Sequence, residues 1–163
     1  MLIAKVDATE EAELAKRFEV TGYPTLIYFD PETKEPTRYQ GAREEEALVN
    51  LVNEHAGTHR NLDGSLKETA GRVAALDELV KGRGADADAA LLANLKSALE
   101  SLAAKEQDAA KMYVSTVEKV MKKGADYVTK EIARLSGMVA SATVSPSKKT
   151  FFQLRLNVLR AFE

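Results

Sequence analysis

The chain contains no cysteine in 163 residues. It can form no disulfide, and it offers no thiol nucleophile and no thiolate metal ligand. Redox chemistry, whatever the compartment, is therefore not carried by these residues. Long apolar runs are missing too. No segment approaches the roughly 20 residues needed to span a bilayer, so no membrane partner is expected. The N-terminus shows no secretory signal pattern and opens on a strand-like run. The last residues, Leu159-Arg160-Ala161-Phe162-Glu163, carry no retrieval tetrapeptide of the Lys-Asp-Glu-Leu type. What remains is 45% hydrophobic and 29% charged, the composition of a globular domain, or of two small ones at this length.

Charge is uneven along the chain. Residues 1–57 hold six Lys/Arg against twelve Asp/Glu, a net −6, while residues 58–163 hold seventeen against thirteen, a net +4. This asymmetry argues for two structural units. The basic half has no polybasic stripe and no interleaved aromatics, so nucleic acid is not an expected partner.

The first unit, residues 1–57, reads strand–helix–strand–strand–helix. Leu2–Val6 is an apolar, β-compatible run. Asp7 and Thr9 offer caps to a helix over about Glu10–Phe18. Thr25–Asp30 is a second strand, Pro31–Glu35 a polar turn, and Thr37–Gln40 a short edge strand entered through Pro36. Glu44–His55 is amphipathic, with Ala47, Leu48, Leu51 and Val52 on one face. A polar, glycine-containing linker follows at 58–65. Residues 66–163 then read as an all-α bundle of five helices. Ser65 and Glu68 form a capping box that opens a helix over Leu66–Lys81. Further helices are capped by Asp86 or Asp88, span Glu106–Lys123 and Ala125–Ala142, and begin after Ser145-Pro146.

Between the first helix and the second strand lies Val20-Thr21-Gly22-Tyr23-Pro24-Thr25-Leu26. Proline is tolerated at the first residue of a strand, and X–Pro bonds are the common site of cis peptides. Tyr23–Pro24 is thus either a cis bond exposing backbone groups before a buried strand or an ordinary trans turn.

Other candidates for chemistry are weak. His55 and His59 are four apart, but Gly57 interrupts the helix between them, so no metal is expected. Gly82-Arg83-Gly84-Ala85-Asp86-Ala87 imitates a dinucleotide fingerprint, yet follows a helix and not a strand. Glu44-Glu45-Glu46 suits the dipole of a helix's first turn and has no catalytic partner nearby. No serine or threonine sits in a nucleophile elbow. No catalytic residue and no cofactor is expected. Met112, Tyr113, Met121, Met138, Phe151 and Phe152 supply either an adaptable peptide surface or core. Core is the expectation for Tyr113 and Phe152; Phe151 and Met112 are the candidates for an exposed patch.

Four motifs occur in order in the first unit: Leu2–Thr9, Glu13–Phe18, Val20–Leu26 and Tyr39-Gln40-Gly41-Ala42-Arg43. Over about residues 2–57 they resemble the second half of a thioredoxin-fold domain, and more narrowly the catalytic domains of protein disulfide isomerases. Leu66–Val73, Tyr113–Gly124, Glu131–Leu135 and Leu156–Phe162 resemble the all-helical C-terminal domain of the D-type branch of that family. That branch includes fungal and plant isomerases and a redox-silent animal chaperone.

The resemblance implies a cis Tyr23–Pro24 bond, provided the sheet around it is filled. It implies a peptide groove at Tyr23, Pro24 and Thr25, and an active-site modulator in Arg43, whose alternative is a solvated residue beginning a helix. In the family's sheet a strand lies between the counterparts of Leu2–Val6 and Thr25–Phe29, so those two would flank an empty slot. The slot is expected to be resolved by a shift of the first strand onto the hairpin, by another chain in a homo-oligomer formed through Leu2–Val6, or by poor order in this half. The implied compartment is the endoplasmic reticulum lumen, and the implied role is secretory-pathway protein folding. Without cysteine, the chain itself would contribute polypeptide binding of a chaperone kind, with unfolded or extended polypeptides as partners. The alternative is a structural or dimerisation module without client binding.

Overall fold

A computed structural model describes residues 2–163. The chain divides into two compact units, one up to Thr58 and the other from His59 to Glu163.

The first unit holds helix α1 (Ala12–Arg17), strands β1 (Leu26–Phe29) and β2 (Pro36–Tyr39), and helix α2 (Glu45–Ala56). The strands pair antiparallel, with Leu26 opposite Tyr39 and Phe29 opposite Pro36. Asp30 shapes the turn between them. Its Oδ1 accepts from the backbone N–H groups of Glu32 (2.9 Å) and Thr33 (2.8 Å), and these bonds hold its carboxyl below the usual range. Arg38 of β2 ties down the end of α1 by donating to the carbonyls of Phe18 and Glu19. Phe18 meets Phe29 edge-on with ring centroids 5.5 Å apart, and Tyr28 stacks on His55 of α2 at 3.9 Å. Successive strand residues face opposite sides of a sheet. Hence α1 packs on the Phe29 face of β1 and α2 on the Tyr28 face.

Leu2–Val6 is not a strand. Its residues take no regular structure, and Leu2, Ile3 and Val6 are 91%, 77% and 59% exposed. A strand exists only through its ladder, and β1 pairs with β2 alone among the described residues. The first strand has therefore not shifted onto the hairpin. None of residues 2–58 is buried. The hairpin and two helices leave their apolar faces half-covered.

The second unit is an all-α bundle: α3 (Ala74–Val80), α4 (Ala89–Ser101), α5 (Ala104–Lys123), α6 (Tyr127–Ala140) and α7 (Pro146–Arg160). Asp88 caps α4 by accepting from the N–H of Leu91 at 2.7 Å. Pro146 occupies the first turn of α7, where its missing N–H costs nothing. Leu76, Leu95, Tyr113, Val117, Leu135, Leu159 and Phe162 are fully buried in one core.

The stretch expected as a linker closes a local turn: Arg60 bridges Leu66, and the N–H of Lys67 donates to the carbonyl of His59 at 2.8 Å. One expectation differs here. The capping box at Ser65 opens no helix. Residues 68–71 form a turn that ends at Gly71, whose φ is a left-handed 73°, and α3 starts only after Val73. The Ser65 hydroxyl instead donates to Asp63 Oδ1 at 2.6 Å.

Candidate functional site

Gly22–Thr25 forms a loop between α1 and β1, and the Tyr23–Pro24 bond is cis. The Thr25 hydroxyl donates back to the carbonyl of Gly22 at 2.7 Å and closes the loop on itself. Tyr23 is left 66% exposed.

Arg43 approaches from the connection between β2 and α2. Its guanidinium donates to the carbonyl of Pro24 at 2.9 Å. The fold thus brings together all four residues singled out in the sequence, Tyr23, Pro24, Thr25 and Arg43. Two further residues place Arg43. The Tyr39 hydroxyl donates to the carbonyl of Ala42 at 2.8 Å, and the Tyr39 ring folds over Gly41. A Cβ at Gly41 would lie 2.5 Å from the end of that ring, so any side chain there would push the ring aside. Both sit in the motif Tyr39-Gln40-Gly41-Ala42-Arg43, whose spacing pointed to Arg43 but not to the supports beneath it.

Chemically, the loop offers an exposed aromatic ring, a backbone kink and a fixed cation. It offers no nucleophile and no general acid or base. The other sequence candidates fall to structural roles. His55 stacks on Tyr28, α2 ends after it at Ala56, and Gly57 takes a left-handed φ of 61°. No group of three or more potential metal-ligating side chains is found among the described residues. In Gly82-Arg83-Gly84, Gly82 takes a left-handed φ of 68° with open space around it, the Gly84 N–H donates to the carbonyl of Phe162 at 3.1 Å, and Arg83 pairs with Asp88 at 3.0 Å. Glu44, Glu45 and Glu46 stand exposed at the start of α2.

In the bundle, Tyr113 is core, Met112 and Phe152 are half-buried, and Phe151 is 50% exposed with its ring 6.1 Å from that of Phe152. Phe151 is thus the exposed aromatic of the bundle, as its position beside the core stripe suggested. Between α6 and α7, Glu131 accepts from Arg134 at 2.8 Å and 2.9 Å and pairs with Arg155 at 3.1 Å. The Arg134 bonds lead in holding the Glu131 carboxyl below its ordinary range, with the Arg155 charge assisting. Arg155 also donates to the Tyr127 hydroxyl at 2.8 Å. This network joins α6 to α7.

Comparison with known proteins agrees with this geometry. Residues 71–162 match the family model described as "Endoplasmic reticulum protein ERp29, C-terminal domain", and residues 1–54 match that of thioredoxin. Among curated proteins, the chain is 36% identical to protein disulfide isomerase-like 2-2 of Oryza sativa, with 99% of this chain aligned to 44% of that protein. It is 37% identical to protein disulfide-isomerase tigA of Aspergillus niger, again 99% against 44%. It is 38% identical to protein disulfide-isomerase erp38 of Neurospora crassa, 98% against 44%. The chain spans less than half the length of these relatives. With more than half of its residues matching one family model, the chain belongs to the ERp29 C-terminal-domain family, and it has the arrangement of the C-terminal portion of protein disulfide isomerase-like proteins, a thioredoxin-like part followed by a helical bundle.

Proposed function

We propose that this chain binds extended or unfolded polypeptide without redox chemistry, in support of protein folding in the endoplasmic reticulum lumen. The observation that carries the reading is the loop itself. Arg43 holds the carbonyl of Pro24 at 2.9 Å beside an exposed Tyr23, while the chain has no thiol to attack a disulfide. A kinked loop ahead of an edge strand presents backbone to an extended peptide, the strand-addition mode of recognition. The secretory compartment is supported by the family name and by relatives named as disulfide isomerases. The isomerase activity in those names is a property of those proteins. Here the loop supplies one wall of a substrate groove, with Arg43 as its fixed cation.

The test compares two activities of the purified chain. Insulin reduction by dithiothreitol should run no faster with the chain than without it. Aggregation of a reduced, unfolded client should slow when the chain is in molar excess, and Tyr23→Ala should weaken that suppression severalfold. Reductase turnover, or no effect on aggregation at excess chain, overturns the reading.

A further inference from the structure

The outer edge of β1 and the segment Leu2–Val6 are two halves of an unmade ladder. In an antiparallel pair, hydrogen-bonded and non-bonded residue pairs alternate. The Asp30 N–H donates to the carbonyl of Glu35, and Pro36, opposite Phe29, has no N–H to give. That register turns the N–H and C=O groups of Tyr28 toward β2, and those of Ile27 and Phe29 toward the open edge. A two-stranded hairpin is marginal alone, whereas three strands with a covered face are self-supporting.

The faces of β1 set what an added strand must look like. Phe18 of α1 lies against one face and His55 of α2 against the other. A neighbouring strand is then flanked by helices on both sides, and such strands read as near-continuous apolar runs. Leu2-Ile3-Ala4-Lys5-Val6 fits, with four apolar residues of five, all exposed here and without a ladder partner among the described residues.

We propose that two copies of this chain pair by strand exchange, Leu2–Val6 of each copy adding to the outer edge of β1 of the other. The occupant is a second copy because every copy brings one such segment and one such edge. The exchange is isologous, so it closes at two and does not propagate. It also covers side chains that the single chain leaves 59–91% exposed. The two acidic units, −6 each over residues 1–57, repel one another, so pairing should tighten as salt screens them. The proposal rests on the edge of β1 and does not require client binding at Tyr23; a client that added to the same edge would compete with the second copy.

Size-exclusion chromatography with light scattering on the 163-residue chain tests it. The expected mass is twice 17.8 kDa, more fully populated at high salt. Ile3→Pro, which removes a ladder donor, should return the mass to 17.8 kDa with the helical circular dichroism of the bundle unchanged. A synthetic peptide of residues 1–8 in excess should split the wild-type dimer without any substitution. A wild-type monomer at all concentrations overturns the proposal. So does a dimer that survives both Ile3→Pro and the peptide, or one that weakens with salt.

Discussion

Asn157 of α7 donates from Nδ2 to the carbonyl of Ala70, 87 residues earlier in the chain, at 3.0 Å. The same amide donates to the carbonyl of Lys67 at 3.0 Å, and Asn157 Oδ1 accepts from Gln153 at 2.8 Å. Asn157 is fully buried, and this one side chain satisfies the turns that lead into α3. Asn157→Leu keeps the volume and removes both donors. It should cost about 2–4 kcal/mol, since two largely buried carbonyls lose their partners. Urea unfolding of the bundle by circular dichroism measures it; an unchanged midpoint would mean that water replaces the amide.

Tyr113 makes a second link of this kind. Its hydroxyl donates to Asp77 Oδ1 at 2.5 Å and accepts from the N–H of Val73 at 3.1 Å, while Asp77 also pairs with Arg72 at 2.9 Å. Burial first, and the Asp77 carboxylate second, push the phenol well above its ordinary value of 10.0. In the unfolded chain the phenol ionises near pH 10, and in the folded chain it stays neutral. Stability from this group is therefore complete below pH 10 and falls as pH rises beyond it. Tyr113→Phe should cost about 1–2 kcal/mol at neutral pH by stranding the Val73 N–H and the carboxylate. It should also flatten the loss of stability above pH 10, which a denaturation series from pH 8 upward reads directly. A parallel fall in both proteins would assign the alkaline sensitivity elsewhere.

The bundle was more legible in sequence than the first unit, for a physical reason. Helices announce themselves through local periodicity, and four of the five begin within about two residues of where caps and apolar spacing put them. The exception is α3. Ser65 and Glu68 have the spacing of a capping box, but a tertiary bond from Asn157 and the left-handed Gly71 set the backbone there, and neither is local. A Cβ at Gly71 would also lie 2.9 Å from Leu154 Cδ2. Leu2–Val6 failed the other way: its β-propensity is real, but a strand needs a neighbour. At the site, Pro24 and Arg43 were readable from their motifs. The contact between them, and the Tyr39 ring over Gly41 that supports it, came only from the fold.

Glu131 supplies an acid-side test. Its bonds to Arg134 and the charge of Arg155 hold its carboxyl below the ordinary value of 4.5. The unfolded chain takes up a proton at higher pH than the folded one. The contribution is thus present above pH 4.5 and lost as pH falls through the lower folded value. Glu131→Gln should cost about 1 kcal/mol at pH 7, because Arg134 is half-exposed and solvent screens its share. The difference between the two proteins should shrink on acidification below pH 4. A gap that persists at low pH would show packing, not charge, as the origin.

Arg43 can be separated from mere surface charge by what it holds. Its guanidinium donates to the carbonyl of Pro24, so Arg43→Ala should shift the backbone amide resonances of Gly22, Tyr23 and Thr25. Resonances of the buried bundle residues Leu95, Leu135 and Leu159 should stay in place, because their packing lies wholly within the other unit. Arg43→Lys keeps the charge but replaces the planar fork with a single flexible ammonium, and should restore the loop only in part. Gly41→Ala should reproduce the Arg43→Ala pattern without touching the cation. Its Cβ displaces the Tyr39 ring, and with the ring goes the bond to Ala42 that sets Arg43 in line. If Gly41→Ala leaves the Gly22–Thr25 amides unmoved while Arg43→Ala shifts them, Arg43 reaches Pro24 without help from Tyr39. If neither shifts them, the contact does not shape the loop, and the case for Arg43 as part of a peptide groove falls with it.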